Sequence, residues 1–408
     1  MQITTAFLSL VLLATSSISA SPANVKYEEG LPITLARRAA FVNDDQEVDL
    51  DALSKHHRSL EQKYAKILDT YQKNTGHTHP LQKEKKSNQS QHMKRSSEEG
   101  QDGSLPLDNS EHATIWAGNV TFGGQTISVD FDTATVDTVV DHAAYDPSKS
   151  KTSKNTHKKF NENYGVGTST DGIIYTDTAK IGGVKAENVA IGRANNDFFG
   201  KGHEPARGLC GLAFNSLQSF PSEYPPLFDA LRKQHAVKQG VFQFTLKPKG
   251  DSSLQVGGLD KSKAKNGDFE WTKVKSSMGF WLIDATINDK PVTGIVDSST
   301  TLIIGPDHEI EEVLKPIKGL TPKKKDGGTA YLYECDQEVK VTIQLGGVKF
   351  DLPKELVNYG KVDGKCMLPI MSETYMPLDS WLLGDTVFQM TTLAFDMDKK
   401  RLGVALQA

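Results

Sequence analysis

Residues 129–135 read VDFDTAT, and residues 294–300 repeat the pattern as GIVDSST. Each segment is an apolar, strand-like run that ends in an aspartate, Asp132 in the first copy and Asp297 in the second. Each aspartate is followed by a hydroxyl residue, a small residue and a second hydroxyl residue. One such segment alone carries little information, because Asp-Thr is a common dipeptide where a strand enters a turn. Two copies indicate a duplicated structural unit with one aspartate in each half.

A second motif also occurs twice, as GLCGL at residues 208–212 and as WLLGD at residues 381–385. The matching glycine lies 79 residues after Asp132 in the first copy and 87 residues after Asp297 in the second. Motifs that recur in the same order predict two similar halves and therefore a bilobal protein. A pseudo-two-fold axis between the halves would bring the two aspartates together.

From about Leu105 onward the chain has the composition of short β-strands. Runs of β-branched and aromatic residues alternate with Gly, Asn and Asp turns, which is typical of all-β proteins. Examples of these runs are residues 127–131, 172–175, 241–246 and 339–343. Helical patterns are few and short, such as residues 226–232 and 308–314. We predict an all-β dominated fold, with an N-terminal β lobe at residues 96–262, a C-terminal β lobe at residues 263–408 and a cleft between them.

The overall composition is ordinary for a soluble globular protein. Of the 408 residues, 37% are apolar and 24% are charged, and a net charge of −4 gives no reason to expect a nucleic-acid partner. Residues 1–95 hold 13 of the 47 Lys and Arg but 10 of the 51 Asp and Glu, so their net charge is +3, against −7 for residues 96–408. A basic front section on an acidic body favours an inhibitory prosegment, although a coincidence of composition would give the same numbers.

Residues 1–20 have the pattern of a secretory signal peptide. An apolar run at residues 6–14 is followed by small residues up to Ala20, and the run is too short for a permanent membrane span. No Lys or Arg precedes the run, so a buried N-terminal segment is the alternative. No later stretch approaches 18 apolar residues, and the C-terminus lacks the long apolar tail of a lipid-anchor signal, so we expect no membrane anchor. We predict a secreted, extracellular protein, with delivery to the vacuole as the alternative.

Residues 21–95 are polar and charged, and we predict that they form a prosegment. Apolar residues have helical spacing around residues 60–68, and residues 82–90 have the composition of a flexible linker. The segment ends at Lys94-Arg95, a dibasic pair just before the β-rich body. This position predicts cleavage by a processing protease at or near Ser96; an ordinary solvated charge pair is the alternative.

The two aspartates suggest a specific chemistry if they lie together. Two carboxylates a few ångströms apart share one proton over a broad acidic range, because the first charge disfavours the second. The ionised group can act as general base on a water molecule, and the protonated group can donate to the carbonyl oxygen of a peptide bond. We therefore predict that Asp132 and Asp297 are catalytic. The neighbouring hydroxyls are predicted to support them, with Thr135 and Thr300 bonding the outer carboxylate oxygens and Thr133 and Ser298 locking the two loops together.

Together, the motifs resemble those of the pepsin-like aspartic proteases of fungal type, from about Pro106 to the C-terminus. The Phe-Asp-Thr-Gly-Ser-Ser motif of the family corresponds to residues 131–136. Its Val-Asp-Thr-Gly-Thr-Thr motif corresponds to residues 296–301, and its flap motif, Tyr-Gly-x-Gly-Ser/Thr, to residues 164–168.

The resemblance implies a bilobal pepsin-like fold and an aspartic-type endopeptidase that acts at acid pH, is made as a zymogen and uses no cofactor. It implies an extended peptide or protein as substrate, the chain's own prosegment as an intramolecular inhibitor, and a monomer. It also implies that Tyr164 covers the cleft and helps to orient the substrate, with Gly165, Gly167 and Thr168 forming the rest of the flap.

The sequence departs from the family at both motif glycines and at two supporting positions. Ala134 and Ser299 replace the two motif glycines, and their side chains take up space where the substrate or the catalytic water should lie. Val136 replaces a serine, and Val139 stands where the family usually has a tryptophan that bonds the flap tyrosine. Because both acids and all four hydroxyls are kept, we expect an active peptidase. A catalytically weak or inactive homologue that binds peptides is the alternative.

The three cysteines are interpreted through the same resemblance. Cys335 and Cys366, 31 residues apart, match the second-lobe disulfide of the family, and a secretory context favours its oxidation. Cys210 is expected to be free and to behave as a small buried apolar residue. No spacing of Cys or His resembles a metal site, so none is expected. Sequons at Asn88 and Asn119 are candidate glycosylation sites.

Overall fold

The computed structural model describes residues 32–37, 41–43, 45–83, 116–164, 169–199, 206–247 and 252–408. The predicted signal peptide, the dibasic pair at Lys94-Arg95 and Asn88 lie outside these ranges. Within them, strands far outnumber helices, as predicted. No helix among the described residues is both long and apolar enough to cross a membrane.

The described part of the front section contains a strand, β1 (Ile33–Arg37), and a long helix, α1 (Leu50–Thr75). The side chain of Asp49 accepts hydrogen bonds from the first turn of α1, and Gly76 ends the helix with a φ of 75°. Both are common helix boundary signals, an N-cap acid and a left-handed glycine. The helical spacing around residues 60–68 is confirmed, although α1 is much longer than that spacing indicates.

The strands of the first half are β2 (Trp116–Phe122), β3 (Gln125–Asp132), β4 (Thr138–Val140), β5 (Lys154–Asn163), β6 (Ser169–Ile181), β7 (Val184–Ala194), β8 (Gly208–Gly211), β9 (Val241–Thr245) and β10 (Ser252–Val256). Those of the second half are β11 (Glu270–Lys273), β12 (Leu282–Ile287), β13 (Lys290–Val296), β14 (Ile303–Gly305), β15 (Thr321–Lys325), β16 (Gly328–Tyr333), β17 (Thr342–Leu345), β18 (Val348–Asp351), β19 (Gly360–Val362), β20 (Lys365–Glu373), β21 (Trp381–Leu383), β22 (Thr391–Asp396) and β23 (Arg401–Leu406). Two short helices form where the sequence predicts them, α2 (Leu227–Lys233) and α3 (Asp307–Leu314). Two more form elsewhere, α4 (Lys354–Val357) and α5 (Asp385–Phe388).

The strands form two large sheets. The first sheet has 13 strands in the order β11-β23-β22-β9-β10-β1-β2-β3-β8-β4-β7-β6-β5. The second has 10 strands in the order β15-β16-β20-β14-β21-β13-β12-β17-β18, with β19 paired to β20. The front section contributes β1 to the first sheet, and the last two strands of the chain join the same sheet beside β9. The fold is therefore bilobal and all-β, and the first sheet includes both β1 and the last two strands of the chain.

The packing explains why a glycine recurs in the second repeated motif. β3 pairs in parallel with β8, and β13 pairs in parallel with β21. A Cβ atom on Gly211 would lie 2.4 Å from backbone atoms of Val136, and one on Gly384 would lie 2.1 Å from the carbonyl oxygen of Thr300. Real side chains do not approach so closely, so glycine is required where the loop after each aspartate crosses the neighbouring strand.

The predicted disulfide is present in the second half. Cys335, just after β16, is bonded to Cys366 in β20, with the two Cα atoms 5.0 Å apart. Cys210 is free and buried in β8, as expected from the sequence. Burial raises the pKa of its thiol to about 12, which keeps it protonated and unreactive.

Candidate active site

Asp132 and Asp297 occupy matching positions, at the end of β3 and directly after β13. Both side chains are fully buried, with an exposed fraction of 0%. The ammonium group of Lys63, from helix α1, contacts both carboxylates. Its Nζ atom lies 2.8 Å from Oδ2 of Asp132 and 3.6 Å from Oδ2 of Asp297. The structure therefore brings the two sequence-predicted acids to a common point.

Each carboxylate accepts two equivalent hydrogen bonds from the residues that follow it. The backbone N–H two positions later donates to Oδ1, from Ala134 over 2.8 Å in the first half and from Ser299 over 3.0 Å in the second. The hydroxyl three positions later donates to Oδ2, from Thr135 over 3.1 Å and from Thr300 over 2.7 Å. The structure thus places both threonines on the carboxylate oxygen that faces Lys63.

The residues directly after the aspartates join the two loops. The backbone N–H of Thr133 donates to Oγ of Ser298, and the N–H of Ser298 donates to Oγ1 of Thr133, both over 3.0 Å. Each hydroxyl then donates across the interface to a backbone carbonyl, that of Val296 for Thr133 and that of Phe131 for Ser298. This reciprocal set needs a hydroxyl residue in both copies of the motif, and it fixes the position of one half against the other.

Two further residues of the site come from the front section and were not identified in the sequence. Lys63 is 4% exposed, and Tyr64, which is fully buried, donates its hydroxyl hydrogen to Oδ2 of Asp297 over 2.8 Å. Lys63 lies three residues after Leu60 and four before Ile67, so a buried lysine on the apolar face of a helix was the available signal. Its partners could not be found that way, because they are distant in sequence.

The two residues that replace the motif glycines are accommodated differently. Ala134 is fully buried and packs in an apolar cluster that includes Tyr64. The Ser299 hydroxyl accepts a hydrogen bond from Nζ of Lys63 over 2.6 Å and donates to Oδ1 of Asp297 over 2.8 Å. Neither residue has a positive φ, so the backbone there accepts a side chain without strain. Ser299 therefore forms a third oxygen contact for the ammonium group.

Charge and burial act in opposite directions on the site. Burial raises the pKa of Asp132, and the charge of Asp297 adds to this effect while Lys63 opposes it. Burial also acts to raise the pKa of Asp297, but Lys63 and the hydrogen bonds from Thr300 and Ser299 outweigh it, so that pKa lies below its ordinary value. For Lys63, the two carboxylates outweigh burial and raise the pKa. With Lys63 in place, the two acids are thus driven apart in proton affinity.

Of the predicted flap, the structure describes Tyr164, while Gly165, Gly167 and Thr168 lie outside the described residues. The Tyr164 ring stacks on Phe198, with ring centres 5.8 Å apart, and burial raises the pKa of its hydroxyl well above the usual value. Val139, which stands at the usual tryptophan position, is fully buried in the same apolar cluster. Tyr164 therefore packs against apolar side chains at the position predicted for the flap.

A second buried carboxyl pair lies beside the site and was also missed in the sequence. The backbone N–H and the hydroxyl of Ser219 donate to Oδ2 of Asp137 over 2.7 and 2.9 Å, and the same hydroxyl contacts Oε1 of Glu162. Burial, with the charge of Glu162, raises the pKa of Asp137 to about 7. A hydroxyl has one hydrogen to donate, so both contacts can form only when one of the two carboxyl groups is protonated. Among the described residues, no group of three His, Cys, Asp or Glu side chains is arranged to hold a metal ion.

The sequence of the chain matches one protein family and several of its fungal members. The family model described as eukaryotic aspartyl protease matches residues 115–407. Secreted aspartyl protease 1 of Malassezia globosa is 37% identical over 377 residues, which cover 92% of this chain and 92% of that protein. Aspergillopepsin-1 of Aspergillus flavus is 30% identical over 71% of this chain and 76% of its own length, and penicillopepsin-1 of Talaromyces stipitatus is 29% identical over 71% and 77%. A match over 92% of the chain must include most of residues 1–95.

Proposed function

The chain belongs to the eukaryotic aspartyl protease family, and from that premise we propose that it is the proenzyme of a secreted aspartic endopeptidase that cleaves peptide bonds at acid pH. Asp132 and Asp297 are its catalytic pair, and residues 21–95 are its inhibitory prosegment. The Malassezia globosa relative, which carries the word secreted in its name, supports the localisation. Delivery to a vacuole is the alternative destination.

One observation carries the proposal: two fully buried carboxylates from the two halves of the chain reach a single small cation, Nζ of Lys63. An attacking water molecule must likewise lie between the two acids and close to both. After the prosegment leaves, a water molecule bound there could give a proton to one carboxylate while the other, protonated, donates to the carbonyl oxygen of the substrate. The shared proton is a property of the pair rather than of either residue.

The supporting hydrogen bonds fit the same reaction. Thr135, Thr300 and the backbone N–H groups of residues 134 and 299 fix both carboxylates, so little reorganisation is needed during catalysis. The reciprocal bonds of Thr133 and Ser298 keep the two acids at a constant separation. The substrate is an extended peptide in the cleft, and Tyr164 lies over it in the proposed mature enzyme.

Inhibition by the prosegment follows from the position of helix α1. Lys63 and Tyr64 bond the carboxylates directly, so no peptide can reach the acids while α1 is in place. Cleavage near Ser96, or self-cleavage at acid pH, would separate the prosegment from the monomeric mature enzyme. N-terminal sequencing of the secreted protein tests this step, since an active form that begins at Ser21 would contradict it.

A second candidate function is a catalytically weak or inactive homologue that binds peptides without cleaving them. The observation that favours it is the loss of both motif glycines, with the Ser299 hydroxyl bonded to Oδ1 of Asp297. Both candidates bind an extended peptide, and only the first hydrolyses it.

The deciding experiment is hydrolysis of an unfolded protein at about pH 4, with and without pepstatin, by the processed wild-type protein and by its Asp132→Asn variant. Pepstatin-sensitive cleavage that is absent in the variant supports the endopeptidase. Pepstatin binding without any cleavage supports the peptide-binding homologue instead.

A further inference from the structure

Residues 149–159 form a strongly basic segment on an otherwise acidic body. They read KSKTSKNTHKK, with five lysines, one histidine and no acidic residue. All the lysines are exposed: Lys149, Lys151, Lys154, Lys158 and Lys159. Because residues 96–408 carry a net charge of −7, this concentration of positive charge is a local feature rather than a reflection of the whole surface.

Little of this charge is neutralised by the rest of the molecule. Lys149 lies 3.5 Å from Asp146 but keeps 71% of its side chain exposed. Lys154 donates to the uncharged side-chain oxygen of Asn188 over 3.2 Å. Within the part of the chain that the structure describes, the other three lysines have no ion pair. Exposed, unpaired cations at this density produce a positive potential that attracts anions.

The charges are arranged along a line. β5 is the last strand of the 13-stranded sheet, so one of its edges has no partner strand among the described residues. Residues 154–159 lie opposite only Thr176 to Ile173 of β6, so they span about 10 Å of this edge at the usual rise of a strand. The pairing with β6 shifts register between Asn155 and Lys159, where His157 has a φ of 58°. Lys158 and Lys159 follow His157 directly and are both exposed, so two positive charges lie at this irregular part of the edge.

We propose that residues 149–159 are a binding site for a linear polyanion, namely a sulfated polysaccharide. A linear chain lying along the open edge can contact several of the five exposed lysines at once, and the vesicle measurement below separates it from a membrane surface. Phe160, the aromatic side chain next to the segment, is buried and cannot stack on a base, so the segment lacks what single-stranded nucleic acids usually need. The site lies outside the carboxylate pair and does not depend on catalysis.

Lysines on an edge strand also prevent edge-to-edge pairing of sheets, and this is the main competing explanation. That role predicts aggregation when the charge is removed, and it predicts no preference for any ligand. The two explanations are therefore separable by measuring binding and oligomeric state on the same variant.

The test uses the full chain at pH 7 and immobilised heparin as the probe. The site variant carries Lys151→Gln, Lys154→Gln, Lys158→Gln and Lys159→Gln. The matched control removes the same charge from four scattered exposed lysines: Lys265, Lys273, Lys324 and Lys399. Exposed substitutions of this kind change stability little, and equal melting temperatures verify that both variants are folded.

We expect the wild type and the control variant to bind heparin, and the site variant to bind at least about tenfold more weakly and to elute at lower salt. Equal weakening in both variants would overturn the proposal, because it would reflect net charge alone. Unchanged binding by a site variant that aggregates would assign the lysines to edge protection. Binding to phosphatidylserine vesicles as tight as that to heparin, with the same lysine dependence, would identify a membrane surface instead.

Discussion

The Nζ atom of Lys63 lies 2.8 Å from Oδ2 of Asp132, and neither side chain is more than 5% exposed. Taking two charges out of water is costly unless they are paired, so each is stable in this position because the other is present. Lys63 belongs to the front section and Asp132 to the first repeated motif. This ion pair therefore couples the placement of helix α1 to the ionisation of the proposed catalytic pair.

The first prediction concerns the cation itself. Lys63→Met keeps an unbranched side chain but removes its positive charge, so the carboxylates lose their partner. Breaking a buried ion pair in this way costs about 3–5 kcal/mol of stability. We expect the unprocessed variant to bind pepstatin at least tenfold more tightly than the unprocessed wild type, because helix α1 is no longer anchored to the carboxylates. Lys73→Met is the matched control, since Lys73 is exposed on the same helix. Equal pepstatin binding by wild type and Lys63→Met would refute the anchoring role.

The second prediction concerns acid release. Burial acts to raise the pKa of Asp297, but Lys63, Thr300 and Ser299 outweigh it, so that in the closed form the pKa lies below its ordinary value of 3.8. Such a group stabilises the closed form fully above pH 3.8 and loses its contribution as the pH falls through the lowered pKa. The raised pKa of Asp132 acts with the opposite sign above pH 3.8.

We therefore expect α1 to loosen below about pH 4 rather than at mildly acidic pH. Hydrogen exchange of the backbone amides of α1 measures this, with helix α3 of the second half as an internal control. Protection of α1 that stays constant down to the pH at which α3 also unfolds would contradict the prediction.

The third prediction concerns catalysis. Asp132→Asn or Asp297→Asn leaves one carboxyl group and removes the shared proton, so general acid–base catalysis should fall by at least about a hundredfold. Asp284→Asn is the control, because Asp284 is an exposed residue of β12 whose loss affects a surface ion pair. The measurement is kcat on an unfolded protein substrate at acid pH. Near-normal turnover by either active-site variant, in a preparation free of other proteases, would exclude the two-carboxylate mechanism.

The fourth prediction concerns Asp137. Burial, with the charge of Glu162, raises its pKa from 3.8 to about 7, so the folded protein holds a proton that the unfolded chain releases. The residue therefore costs stability that grows as the pH rises from about 4 to 7. Asp137→Asn cannot ionise, and we expect it to melt higher than the wild type at pH 7 and to differ less at pH 4. A lower melting temperature at pH 7 would mean that the hydrogen bonds from Ser219 to the carboxylate matter more than its burial.

The fold and the carboxylate pair could be predicted from the sequence because the motifs that determine them each occur twice. The repeated Asp motifs and the repeated glycines correspond to two copies of the same crossing of a loop over a strand, with Gly211 and Gly384 in equivalent roles. The hydroxyls of Thr133 and Ser298 join the two loops only when both are present, and the repeat identifies them as a pair.

Other parts of the site could not be predicted, because their partners come from distant and unrepeated segments. Lys63 interrupts the apolar face of α1, but only the tertiary fold identifies the carboxylates as its partners. Asp137 and Glu162 have no motif around them, and their shared contact with Ser219 arises from the packing of three separate segments. The hydrogen bond from Lys63 to the Ser299 hydroxyl likewise involves a residue that the motif itself does not reveal.

The last prediction concerns the two residues that replace the motif glycines. Ser299→Gly removes the hydroxyl that contacts both Lys63 and Oδ1 of Asp297, and Ala134→Gly removes a buried methyl group from the apolar cluster that includes Tyr64. Each change should cost about 0.4–1 kcal/mol of stability through the freedom gained by the unfolded chain. Against this, misplacement of reacting groups by about 1 Å can cost a hundredfold in rate, so the added space should help the chemistry more than it harms the fold.

We therefore expect the processed double variant to have a higher kcat at acid pH than the wild type and a slightly lower melting temperature. Ser299→Ala separates the causes, because it removes the hydroxyl and keeps the Cβ atom. If Ser299→Ala already reproduces the gain in rate, the hydrogen bond to Asp297 is the handicap; if only glycine does, the Cβ atom is. An active wild type that slows on restoration of glycine would instead show that Ala134 and Ser299 support catalysis in this chain. Absence of cleavage and of pepstatin binding in both proteins would favour the peptide-binding homologue.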